Sequence, residues 1–87
     1  MRLVNIRSGD PYDVLIARPS KWGNPFPIEG RVTREKAIAM YEVHIRRNPR
    51  LLADLPELVG KTLGCHCAPL PCHGEVLLRL LKERGLE

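Results

Sequence analysis

Glutamine is missing from this 87-residue chain, aromatic side chains amount to 5%, and tryptophan and phenylalanine occur once each. No apolar run approaches the roughly 18–20 residues that a membrane span needs. The opening stretch MRLVNIRSGD has neither the apolar segment nor the small-residue cleavage site of a secretory signal. These absences set the expectation of a cytoplasmic protein with no membrane partner. Cysteine is scarce too: three residues, an odd number, cannot pair off into a disulfide framework, so reduced thiols are expected. The chain is also short. At this length only about 60–65% of the unfolded surface is buried on folding, enough for one core and hence for a single domain over residues 1–87.

What is present fits a globular protein. A hydrophobic share of 44% against 28% charged residues argues against disorder, and the eight prolines are spread over several turns without forming a low-complexity segment. The net charge of +4 favours phosphate-rich partners, although an excess of this size is equally that of a solvated face.

Residues 2–6 (RLVNI) and 13–17 (DVLIA) are short β-rich runs separated by Ser8, Gly9, Asp10 and Pro11, a turn that suits a hairpin. Residues 18–31 carry three prolines and two glycines, too broken for a helix or a central strand, and read as a long structured loop. Thr33 caps a helix with Ala37, Ile38, Tyr41 and Ile45 at helical spacing, and Asn48 with Pro49 ends it and opens a short second one. Residues 61–67 (KTLGCHC) read as a third strand. Residues 72–85 form an amphipathic helix, with Val76, Leu77, Leu80 and Leu81 opposite Arg79, Lys82, Glu83 and Arg84. This order predicts an α/β fold, a small single-layer sheet of about three strands with helices packed on it. The helical segment between the second and third strands is long enough to make that pair parallel, and ligands tend to sit at the carboxyl ends of such strands.

Two unusual stretches fall at those ends. The first, GCHCAPLPCHGE over residues 64–75, holds all three cysteines and two of the three histidines. One reading is a zinc site of Cys65, Cys67, Cys72 and His73, since Cys3His is a zinc ligand set, although the spacing lacks a CxxC pair. Another is catalysis by Cys72, His73 or Cys67. A cysteine in the first helical turn has its pKa lowered by free amides and the helix dipole, a neighbouring histidine can exchange its proton, and the same amides attract anions. The plainest reading takes the cysteines as small buried hydrophobes, which accounts for Cys65 but poorly for Cys-His-Gly opening a helix.

The second stretch, RPSKWGNPF over residues 18–26, places Arg18 and Lys21 as cations, Ser20 and Asn24 as hydrogen-bonding groups and Trp22 as a stacking surface within one short span. Arginine grips a phosphate in bidentate fashion and an indole stacks on a base, so the set suits a nucleotide. Trp22 would equally serve as a plug that pins the loop to the core.

The two stretches together resemble the uncharacterised bacterial and phage family numbered 4326 among the domains of unknown function. The first motif is similar to the family's at Arg18, Ser20, Trp22, Gly23, Asn24 and Pro25, the second at Cys65, Cys67, Pro69, Cys72 and His73. The family often carries tryptophan where this chain has His66, so the resemblance does not extend to that residue. It implies no reaction. The family's frequency in phage genomes implies a link to nucleic acid or nucleotide metabolism.

The expectation is therefore a polar site where the loop meets the cysteine segment, taking a phosphorylated small molecule or nucleic acid. Arg18 and Lys21 would hold the anion, Trp22 would wall the pocket, Ser20 and Asn24 would orient the ligand, and Cys72, His73 and Cys67 would supply any chemistry. The alternative is a zinc-stabilised module that binds nucleic acid or protein without catalysis. The apolar face of the last helix also suits a protein partner or a second copy of the chain as a homodimer.

Overall fold

Three β-rich runs and three helical patterns become six elements in the computed structural model, which describes residues 2–67 and 70–87. In chain order they are β1 (Arg2–Asn5), β2 (Val14–Leu15), α1 (Arg34–Arg46), α2 (Pro49–Asp54), β3 (Thr62–Cys65) and α3 (Gly74–Glu83), with short 3-10 turns at Ile6–Ser8 and Leu55–Leu58. The strands form one sheet in the order β1-β3-β2. Both outer strands run parallel to β3, with Leu3 and Val14 in register with Leu63. These three side chains point to the core, and two residues on, the fully buried Cys65 does the same.

The expected parallel pairing of the second and third strands is present, but the hairpin between the first two is not. Residues 6–13 carry the chain from one edge to the other across the outer face of β3. A crossover this short would collide with a side chain in the middle of β3. Gly64 stands there: a Cβ added to it would lie within 3 Å of the Tyr12 ring and the Ile6 side chain. The connection therefore packs directly on β3 backbone, which is why a turn of hairpin length makes a parallel link instead. The second strand is also shorter than residues 13–17, although Ile16 continues the ladder by donating to the Gly64 carbonyl at 2.9 Å.

The helices start where their caps lie. Thr33 Oγ1 accepts from the Lys36 amide at 3.1 Å, and Asn48 Oδ1 from the Leu51 amide at 3.2 Å, each satisfying one orphan donor of a first turn. α1 buries Ala37, Tyr41 and Ile45, and α3 buries Val76, Leu77, Leu80 and Leu81. Removing each large aliphatic side chain from water contributes about 1.5–3 kcal/mol, so α3 is held by its apolar face far more than by propensity. On the opposite side Glu42 accepts from Arg46 and Arg79, and Arg46 reaches Glu83, a solvent-screened network joining α1 to α3. Among the described residues no helix is long and apolar enough to cross a membrane.

Candidate functional site

β2 and β3 end side by side, and each is followed by one of the two unusual stretches. After β2, the Ser20 amide donates to the Ala17 carbonyl at 3.0 Å and the Gly23 amide to the Ser20 carbonyl at 2.9 Å, two successive turns. Ser20 Oγ accepts from the Trp22 amide at 3.2 Å. This winding drives Trp22 inward, where its side chain is 2% exposed, and the Tyr41 hydroxyl donates to the Trp22 carbonyl at 2.9 Å. Trp22 is thus the plug that fastens the loop to the core and offers no free face for stacking. Asn24 Nδ2 donates to the Ala37 carbonyl and its Oδ1 accepts from the Phe26 amide, which ties the loop to α1.

Lys21 folds back over the Trp22 ring, its ammonium 5.3 Å from the ring centroid. Its ammonium lies 2.9 Å from Asp54 and 2.9 Å from Glu57, and hydrogen bonds to both acids hold its pKa above the ordinary lysine value. It is neutralised away from the strand ends, by two carboxylates to which the sequence assigned no role. Of the two expected anion-holding cations, only Arg18 stays at the strand ends.

The cysteine segment is built into the core. Gly74 opens α3 where a Cβ would lie within 3 Å of Leu3 and Ile16, so the glycine lets the first turn sit directly on the sheet. The free amides expected there are taken: Gly74 donates to Cys72 Sγ at 3.2 Å, Glu75 to the Cys72 carbonyl at 3.1 Å and Val76 to the His73 carbonyl at 3.0 Å. The lowered thiol expected from this position is reversed. Burial pushes Cys72 up to about 12, the Gly74 amide opposes it only partly, and neighbouring Cys65 and Cys67 add to the rise. His73 is also buried, which lowers its pKa and keeps the imidazole neutral. Its Nε2 lies 2.7 Å from the Ile16 carbonyl, an acceptor only, so Nε2 carries the proton and clamps α3 to the end of β2. The Tyr41 ring packs edge-on against it at 4.8 Å.

Beside this buried cluster lies a cavity of about 190 Å³ at the carboxyl ends of β2 and β3, open on one side. The loop contributes Arg18, Asn24, Phe26, Pro27 and Ile28, α1 contributes Arg34, Ala37 and Ile38, and the segment after β3 contributes His66, Cys67, Pro71, Cys72 and His73. Arg18, Asn24, Cys67, Cys72 and His73 are therefore brought together as expected, whereas Ser20, Lys21, Trp22 and Cys65 are not at the cavity. Phe26, Arg34 and His66 join it instead. Arg34 occupies the first position of α1 and donates through Nη1 to the Pro71 carbonyl at 3.3 Å. Among the described residues no carboxylate pairs with Arg18 or Arg34. Both guanidiniums thus keep donors for a ligand.

Among the described residues no three His, Cys, Asp or Glu side chains form a metal-holding group. Pro69 of the second motif lies outside the described residues. The family described as "Domain of unknown function (DUF4326)" matches residues 4–83. An uncharacterised 12.4 kDa protein from the nrdA-td intergenic region of Enterobacteria phage T4 is 34% identical over 94% of this chain and 78% of its own length. Uncharacterised protein R718 of Acanthamoeba polyphaga mimivirus is 38% identical over 72% of this chain and 54% of its own length. No solved structure matches the chain.

Proposed function

The chain belongs to this family, and from that premise we propose that the cavity between Arg18 and Arg34 binds a phosphorylated nucleotide or the phosphorylated end of a nucleic acid. The observation that carries the reading is the pairing of two guanidiniums, both without a carboxylate partner among the described residues, with an apolar wall at the ends of two parallel strands. Guanidinium forks match phosphate oxygens, and such strand ends are where α/β sheets take their ligands. Phe26, Pro27 and Ile38 present aromatic and aliphatic surface for a base or sugar. The cavity is smaller than the roughly 300–1,000 Å³ of pockets that enclose a drug-sized ligand. One end of the ligand would enter and the remainder would stay outside.

Any chemistry on the bound ligand would fall to Cys67 and His66, whose side chains reach the cavity from half-buried and exposed positions. Cys72 and His73 support the floor, because each is committed to the backbone that holds α3 on the sheet.

Calorimetric titration with a nucleoside 5′-monophosphate tests the reading. A charge-assisted hydrogen bond is worth about 1.5–3 kcal/mol, so Arg18→Ala and Arg34→Ala should each weaken binding by about 10- to 100-fold. Their melting temperatures should stay close to that of the parent chain. Binding that survives both substitutions, or that falls only in step with thermal stability, would refute it.

A further inference from the structure

The cavity does not end at its own rim. Phe26, which forms part of its wall, also lines a second concavity with Val43, His44, Arg47 and Asn48 along the outer side of α1. His44 and Asn48 in turn line a third, which adds Arg50 and the Lys21–Asp54 ion pair. The first and second depressions share Phe26 and the second and third share His44 and Asn48, so the three adjoin in series as a track from the strand ends to the start of α2. Its aromatic surface lies at the first junction, where the half-buried Phe26 ring meets His44 edge-on at 6.0 Å.

Charge runs along the same path. Arg18 and Arg34 stand at one end, Arg47 in the middle and Arg50 at the other end, and among the described residues none of the four pairs with a carboxylate. The acid on the track is Asp54, paired with Lys21, an ammonium it shares with Glu57. A single mononucleotide leaves most of this surface unused. Arg34 and Arg47 mark the two ends of α1, about 20 Å apart along its axis at roughly 1.5 Å per residue. That distance corresponds to about six stacked nucleotides at roughly 3.4 Å each, and to fewer in an extended strand.

We infer that the track takes a single-stranded nucleic acid, its end held in the Arg18–Arg34 cavity, a base against Phe26, and its following phosphates along Arg47 and Arg50. A positively charged groove with aromatic surface is the recognition mode of single strands, and it reads features that DNA and RNA share. This inference rests on the proposed binding of a nucleotide or nucleic-acid end in the cavity. It extends that site in one direction, past Phe26.

Fluorescence anisotropy with labelled oligothymidylates and oligouridylates, from one nucleotide to about twelve, tests it. Affinity should rise with length to about six nucleotides and then level off, for both sugars. The double variant Arg47→Ala/Arg50→Ala removes two phosphate contacts. The slope of log affinity against log salt for the hexanucleotide should therefore flatten by about 1.4, with mononucleotide affinity unchanged. If a mononucleotide binds as tightly as a hexanucleotide, or if the double variant leaves the hexanucleotide's salt slope intact, the track is not a strand site although the cavity reading stands. Duplex binding as tight as that of the single strand would likewise overturn the track. If neither length binds, or Arg18→Ala leaves both affinities unchanged, the cavity reading fails with it. Melting temperatures of the variants separate these outcomes from loss of fold.

Discussion

At neutral pH Cys72 will react with an alkylating agent at least about two orders of magnitude more slowly than an unhindered cysteine. Two effects oppose each other at this thiol. Its place before the first turn of α3, with the Gly74 amide on its sulfur, favours the thiolate; burial beside Cys65 disfavours it, and burial wins. An ordinary thiol with a pKa of about 8.5 is about 3% ionised at pH 7. A thiol pushed up to about 12 is ionised in about one molecule in 100,000, about 3,000 times fewer; the greater nucleophilicity of a more basic thiolate recovers about 40-fold of this and leaves about 100-fold before access is considered. Access slows it further, since Cys72 is 3% exposed. Pulsed iodoacetamide labelling of the folded protein, followed by mass spectrometry of the peptides, reads the three rates separately. The half-buried Cys67 should be modified first, Cys65 and Cys72 only on unfolding, and all three at comparable rates in denaturant. Labelling of Cys72 at or above the rate of a free thiol would refute the burial argument and restore this residue as a nucleophile.

Gly64→Ala should destabilise the fold by about 1–3 kcal/mol, because the added methyl meets the Tyr12 ring and Ile6 within 3 Å; denaturant melts check this, and Tyr12→Ala should recover part of the loss. Burial lowers the His73 pKa, so its contribution to stability is fully present above the unfolded value of about 6.5 and is lost as pH falls through the folded value. The melting temperature should therefore decline on acidification below about 6.5, less so in His73→Gln, which cannot protonate; an identical decline in both proteins would rule His73 out as the source. Lys21→Ala should leave nucleotide affinity unchanged, because this ammonium faces Asp54 and Glu57, and a loss matching that of Arg18→Ala would place it in the site after all.

The elements that short-range chemistry determines were legible in the chain. Thr33 and Asn48 cap the helices their side chains announce, residues 61–67 contain the third strand, and the parallel pairing of β2 with β3 follows from the helical segment between them. What escaped depends on partners distant in sequence. A connection over residues 6–13 has the length of a hairpin turn, and only the space left by Gly64 sends it across the sheet. Trp22 in a proline-rich loop fits a ligand wall or a core plug equally well until the Tyr41 hydroxyl is seen on its carbonyl. Lys21 reads as an anion-binding cation until Asp54 and Glu57 come round from α2 and the turn after it.

That the loop and the cysteine segment meet was more legible than which of their residues line the cavity. Arg18 and the cysteine segment do meet at the strand ends, as their positions after β2 and β3 imply. Arg34 was missed because an arginine in a first helical turn reads as solvated surface, and nothing local says that its turn borders a cavity. Cys72 misled because position on a helix predicts the sign of the dipole effect but not the burial that outweighs it.

The most direct test of the account is an amide-resolved NMR titration of the protein with a nucleoside 5′-monophosphate. The account predicts saturable shifts at Arg18, Phe26 and Ile28 in the loop, Arg34 and Ile38 in the first turns of α1, and His66 and Cys67 after β3, all following one binding curve that Arg18→Ala moves to about 10- to 100-fold higher nucleotide concentration. Saturable shifts confined to another surface, or none at millimolar nucleotide, would contradict it.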